Sequence, residues 1–155
     1  MQRIYPPVYA YLWPDGGQWY LESQYGKENF AREIAQPAAD YRFILYDEAP
    51  IGILRSIRNV PCPDRPDLRA TKLHRLYLDP AVQGRGIGKA AVQQLVGECR
   101  ERNDECIWLE AMDSAEGSQA FYERTSFTRG GHFILDMPKM LPKWRGMWRY
   151  YRVLP

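Results

Sequence analysis

Three glycines at alternate positions, Gly84, Gly86 and Gly88, separate a strand-like run from a helix-like one, and no other stretch limits the fold as much. Thr71 to Leu78 has the composition of a strand, and Asp79-Pro80 turns the chain. Beyond the glycines, Ile87, Ala91 and Leu95, with Val92, Val96 and Cys99, recur at helical spacing. A helix is therefore expected from Arg85 to about Arg102. Glycine carries no Cβ, so a ligand can lie directly against the backbone N–H groups of such a loop. The first turn of a helix has donors without partners and the positive end of the macrodipole, which together suit an anion, phosphate above all. Arg85 and Lys89 add positive charge beside it. Without a ligand, the same residues read as a flexible connection.

The spacing G-x-G-x-G does not fit the dinucleotide-binding loop G-x-G-x-x-G, and no G-K-[ST] follows as in a P-loop. Gln83-Gly84-Arg85-Gly86-Ile87-Gly88 instead resembles the Q/R-x-x-G-x-G/A signature of the GNAT acyltransferase superfamily. Leu76-Tyr77-Leu78-Asp79-Pro80 is similar to that family's fourth strand and following turn. The resemblance implies acetyl-CoA as co-substrate, with its pyrophosphate on the N–H groups from Gln83 to Gly88 beside Lys89. Its pantetheine arm would add to the backbone edge of Leu76, Tyr77 and Leu78 as a short extra strand.

The 155 residues suit one domain with a single core, read here as one GNAT-like domain over 1–155. A net charge of +2 gives no argument for nucleic acid, and no apolar run approaches the ~20 residues of a membrane span. Cys62, Cys99 and Cys106 lack metal-ligand spacing and secretory context, so they read as reduced thiols of a cytoplasmic protein without a metal. Lys139, Lys143, Arg145, Arg149 and Arg152 alternate with aromatics, a pattern that a half-solvated strand explains better than nucleic-acid binding does.

The remaining elements follow from periodicity and punctuation. Tyr5-Pro6-Pro7 cannot sit inside a helix or a central strand, because two prolines remove two donors. Val8 to Trp13 reads as a short turn or covering segment, and helices are expected over Gln18–Gln24 and Lys27–Gln36. Tyr41–Tyr46 and Ile51–Arg58 form a hairpin, Asn59 to Asp67 an exposed loop, and Cys106–Met112 an apolar strand. Asp113 with Glu116 matches a capping box opening a helix that ends near Arg124. Strands follow near Phe127–Leu135 and Gly146–Leu154. The strands flanking the central helix run parallel through a right-handed crossover. The fold class is α/β (α+β): a mixed, mainly antiparallel twisted sheet flanked by helices.

Phe121-Tyr122-Glu123-Arg124-Thr125-Ser126-Phe127 carries the second resemblance, to a helix ending F-Y-x-x-x-G-F whose tyrosine protonates the departing thiolate. Tyr122 holds that place, and its phenol pKa of ~10 lies close to that of an alkyl thiol. Ser126 replaces the usual glycine, and Ser114 or Ala115 stands where the family often has an asparagine. Lys72 occupies the position of the family's strand glutamate, so the general base stays open between His74, Glu110 and a water chain or backbone carbonyl. The function implied is N-acetyl transfer from acetyl-CoA to a primary amine of a small molecule or protein. The alternative is an acyl-CoA-binding module without chemistry. The family's opening strand is expected to be absent, which would leave Tyr41–Tyr46 as a sheet edge to be covered by Met1–Tyr11 or by a second subunit in a homodimer.

Overall fold

The computed structural model describes residues 1–155. Three short helices open the chain: α1 (Pro6–Tyr9), α2 (Gln18–Tyr25) and α3 (Lys27–Ile34). Pro6 stands at the first helical position of α1, where its missing N–H costs nothing. Then follow β1 (Ala39–Tyr46), β2 (Ala49–Ile57), β3 (Ala70–Leu78), α4 (Ile87–Glu101), β4 (Cys106–Met112), α5 (Glu116–Arg124), β5 (Thr128–Ile134) and β6 (Gly146–Val153). The strands form one sheet in the order β1-β2-β3-β4-β6-β5, and only β3 and β4 run parallel. The mixed sheet and the parallel crossover through α4 are as the sequence predicts. No helix is long and apolar enough to cross a membrane.

The stripe on α4 does what its spacing implies. Val92, Leu95, Val96 and Cys99 pack on Leu73 of β3, Ile107 and Leu109 of β4, and Tyr150 of β6, all nearly inaccessible to solvent. Burial pushes the thiol of Cys99 up to about 11 and that of Cys106 up to about 12, so both stay protonated and inert. Cys62 corrects the reading of residues 59–67 as wholly exposed. It is fully buried with Ala70, Cys106 and Trp108, and the carbonyl of neighbouring Val60 accepts from Trp108 Nε1 at 2.8 Å.

Two local expectations change. The helix after β4 has no side-chain cap: Ala115 is its N-cap, and Asp113 instead pairs with His132 at 2.9 Å. At the other end, Ser126 adopts a left-handed φ of 68°. Phe127 N–H donates to Tyr122 C=O and Ser126 N–H to Glu123 C=O, the two bonds of a Schellman turn. Ser126 thus takes the glycine's conformation with a side chain that resists it. Ser126→Gly is expected to raise stability by about 1 kcal/mol; a urea melt without that gain would show that the turn is unstrained.

The outer edge of β1 pairs with no other strand, and Phe43, Leu45 and Tyr46 beside it are exposed. The N-terminal segment is not its cover. Tyr5, Leu12 and Trp13 pack instead with Leu21, Met112 and Met140, several strands away.

Candidate active site

β3 and β4 pair only over Ala70–Lys72 and Cys106–Trp108, after which they diverge. β4 stays paired to β6 along its whole length, and β3 to β2 as far as Leu78. The edge of β3 that faces β4 therefore carries unpaired backbone groups beyond Lys72. The wedge between the strands holds a cavity of about 260 Å³. Tyr122, His74, Glu110, Leu76 and Tyr77, all expected at the site, line it together; Leu78 and the glycine loop lie outside it.

The loop continues the line of β3. Gly84 and Gly86 have φ of 78° and 77°, a conformation that glycine alone adopts without cost, and a Cβ on either would meet nothing within 4 Å. Gly88 serves packing instead, because a Cβ there would press on Phe121 and Leu78 at 3.2–3.3 Å. The first helical bond of α4 is Ala90 N–H to Gly86 C=O. The N–H groups of Gly84, Arg85, Gly86, Ile87, Gly88 and Lys89 donate to no acceptor in the chain. Gln83 corrects the expected span, since its N–H is already donated to Pro80 C=O at 3.2 Å. Arg85 and Lys89 form no ion pair, and Arg85 lies over the ring of Tyr46 at 5.8 Å. Free donors, a helix N-terminus and two unpaired cations make a site for a polyanion such as a pyrophosphate.

Tyr122 projects from α5 and packs on Phe121, Phe127 and Tyr150 with ring centroids 5.1–6.0 Å apart. Its hydroxyl makes no hydrogen bond within the chain, and burial raises its pKa above the usual phenol value, aided by Tyr9. It is a neutral phenol at the cavity wall.

The two expected bases fare differently from a simple strand reading. Arg55 pairs with Arg75 and Ser56 with Leu73, so His74 is an extra residue in a β-bulge. The guanidinium of Arg55 can only donate, and its Nη1 lies 2.6 Å from His74 Nδ1, which therefore accepts. Burial first, then the charges of Arg75, Arg55 and Lys72, push His74 down to about 3. At neutral pH it cannot keep a proton taken from an alkylamine. Glu110 bonds to Lys72 Nζ at 2.8 Å, and that ammonium also lies 4.4 Å from the centre of the Trp108 ring.

The depressed pKa has a stability consequence. The fold favours neutral His74, so as pH falls below ~6.5 the unfolded chain takes up this proton while the folded chain does not, down to about 3. Stability is therefore present above pH ~6.5 and lost on acidification, by at most about 1.4 kcal/mol per pH unit. Urea melts at pH 7 and pH 5 should show a smaller loss for His74→Gln than for wild type, by about 2 kcal/mol. Equal losses would mean that His74 titrates normally.

Sequence reasoning missed the opposite wall. Tyr5 and Tyr20 stack at 4.6 Å, Trp13 and Tyr20 at 4.9 Å, and Tyr5 and Tyr9 set their rings edge-on to Tyr77 at 6.0 Å. Trp13 Nε1 donates to the Tyr5 hydroxyl at 2.9 Å, and Leu141 N–H donates to Leu12 C=O, which joins this wall to the methionine-rich segment before β6. The aromatic content near the N-terminus was the only available signal.

The sequence profile of the Acetyltransferase (GNAT) family matches residues 1–127. An uncharacterized N-acetyltransferase from the pepI 3' region of Lactobacillus delbrueckii subsp. lactis is 26% identical over 110 residues, covering 71% of this chain and 64% of that protein. Among solved structures, PaiA N-acetyltransferase of Thermoplasma acidophilum in complex with coenzyme A aligns with a TM-score of 0.73 at 15% identity, over 98% of this chain and 87% of its own. A variant of the spermidine N-acetyltransferase SpeG from Vibrio cholerae aligns at 0.64 and 17%, over 81% and 70%. At such identities the structural likeness speaks for the fold alone. The family match covers most of the chain, and it falls on the loop, the diverging strands and the tyrosine helix described above. The chain belongs to the GNAT acetyltransferase family.

Proposed function

We propose that the protein transfers an acetyl group from acetyl-CoA to a primary amine held in the cavity between β3 and β4. The observation that carries this reading is continuity: free N–H groups from Gly84 to Lys89 lead into the unpaired edge of β3, which ends at a cavity containing Tyr122. Bound acetyl-CoA supplies the activated acyl group. The loop holds its pyrophosphate, and the edge of Leu76, Tyr77 and Leu78 orients the pantetheine arm toward the cavity. An N–H of the same edge stabilises the oxyanion that develops when the amine attacks. Tyr122 then delivers its proton to the departing sulfur. Glu110 is the nearer fit for the group that takes the amine's proton, since burial and the surrounding cations hold His74 neutral. Binding both reactants in one wedge removes much of the entropic barrier.

The paired state of Glu110 and the weakness of His74 favour a second reading, an acyl-CoA-binding module without turnover. Thiol release from acetyl-CoA separates the two. The enzyme releases thiol only when an amine is present, and one acetylated product appears per thiol. Saturable acetyl-CoA binding with no amine-dependent thiol release would establish the module instead.

A further inference from the structure

The cavity walls constrain the acceptor more narrowly than the family does. The ionic side chains that line it are Lys72, Arg75 and Glu110, two cations and one carboxylate. Glu110 is already bonded to Lys72. Arg75 is buried and held by Glu33 and by Gln24 Oε1 at 3.1 Å, so it keeps its charge. No unpaired carboxylate is left for an incoming ammonium, and a second or third ammonium would meet only like charge. Desolvating an unpaired cation in such a place is costly.

The aromatic residues do not change this. An ammonium is held by open ring faces. Here Tyr20 is stacked against both Tyr5 and Trp13, and Tyr77 meets Tyr5 and Tyr9 in T-shaped contacts, so these rings are already engaged with one another. Beside the rings, the cavity is lined by the thioethers of Met112, Met137, Met140 and Met147, soft groups that pack well against a flat ring.

Chemistry agrees with the walls. An alkylamine is an ammonium at neutral pH, with a pKa near that of lysine, ~10.4, and must lose a proton before it can attack. Neither His74, which stays neutral and accepts from Arg55, nor a carboxylate bonded to Lys72 is a base for that task. An amine whose lone pair is conjugated with a ring is already neutral at that pH. It attacks as it stands: the C–N bond forms, and the nitrogen becomes strongly acidic in the adduct. A weak base such as Glu110 suffices to take its proton. The C–S bond then breaks, the sulfur is protonated by Tyr122, and the proton lost by nitrogen restores the phenol.

We infer that the acceptor is an uncharged amine on a flat apolar body, an arylamine, and not a polyamine or an alkylammonium. This rests on the acetyl-transfer reading above. The test is kcat/KM at pH 7.5 for 4-methoxyaniline, phenethylamine and spermidine, with acetyl-CoA binding measured alongside. The arylamine is expected to exceed both others by at least about 10-fold. Preferential turnover of spermidine or phenethylamine would overturn the inference and leave acetyl transfer standing. Acetyl-CoA binding without turnover of any of the three would overturn both. A second variant reads the charge argument separately. Lys72→Met keeps the stem beside Trp108 and frees Glu110, so it should shift the preference several-fold toward phenethylamine. An unchanged ratio would show that the Lys72–Glu110 pair does not exclude cations.

Discussion

Gly86→Asp is expected to weaken acetyl-CoA binding by about 100-fold or more, equivalent to ~2.7 kcal/mol, while the protein stays folded. Gly86 is the N-cap of α4, and a side chain built there enters open space, so nothing in the core is disturbed. The left-handed φ of 77° costs a residue with a Cβ roughly 1–2 kcal/mol, although aspartate is among the more tolerant. Against that cost, a carboxylate at a helix N-terminus gains from the macrodipole and accepts the free N–H groups of the first turn. These are the donors that a pyrophosphate needs. The substituted side chain therefore repels the ligand and competes for its partners at once. Calorimetric titration of acetyl-CoA, with a thermal melt as control, reads both effects. Wild-type affinity in the variant would remove the loop from the binding site. Gly86→Ala, which adds strain but no charge, should lose far less.

Tyr122→Phe is expected to lower kcat by ~10²–10⁴-fold with little change in the KM for acetyl-CoA. The ring and its contacts with Phe121, Phe127 and Tyr150 are kept. What is lost is a hydroxyl with no partner in the chain, whose removal leaves no orphaned group behind. Because burial keeps this phenol protonated well beyond neutral pH, its proton is available wherever the enzyme works. An unchanged kcat would make Tyr122 a packing residue. A loss confined to KM would place the hydroxyl in ligand binding rather than in proton transfer.

The parts of this site that were legible in the sequence are those governed by backbone chemistry over a short span. Alternate glycines between a strand and a helix announce positive φ, and Gly84 and Gly86 have it. The apolar stripe from Val92 to Cys99 and the continuous apolar run of β4 set the layers, because burial follows the apolar pattern. The parts that were not legible depend on pairing between distant segments. That Lys72 would bond to Glu110 depends on where the parallel β3/β4 ladder stops. That Arg55 would reach His74 depends on the bulge in the β2/β3 pairing. The Asp113 capping box failed because His132, nineteen residues on, held that carboxylate. The N-terminal aromatics gave no periodic signal, since prolines interrupt them and their partners lie in Tyr77, Met112 and Met140.

The arrangement of loop and strand edge can be tested directly on the backbone itself. In a titration of the ¹⁵N-labelled protein with coenzyme A, the amide resonances of Gly84 to Lys89 should move most, because these N–H groups have no acceptor in the chain and a pyrophosphate would supply one. Those of Leu76 to Leu78 should move with them as the pantetheine arm adds to the open edge of β3. The amide of Gln83, already donated to Pro80, should move less. Coenzyme A binding that shifts resonances elsewhere and leaves Gly84 to Lys89 in place would contradict the assignment of this wedge as the acyl-CoA site.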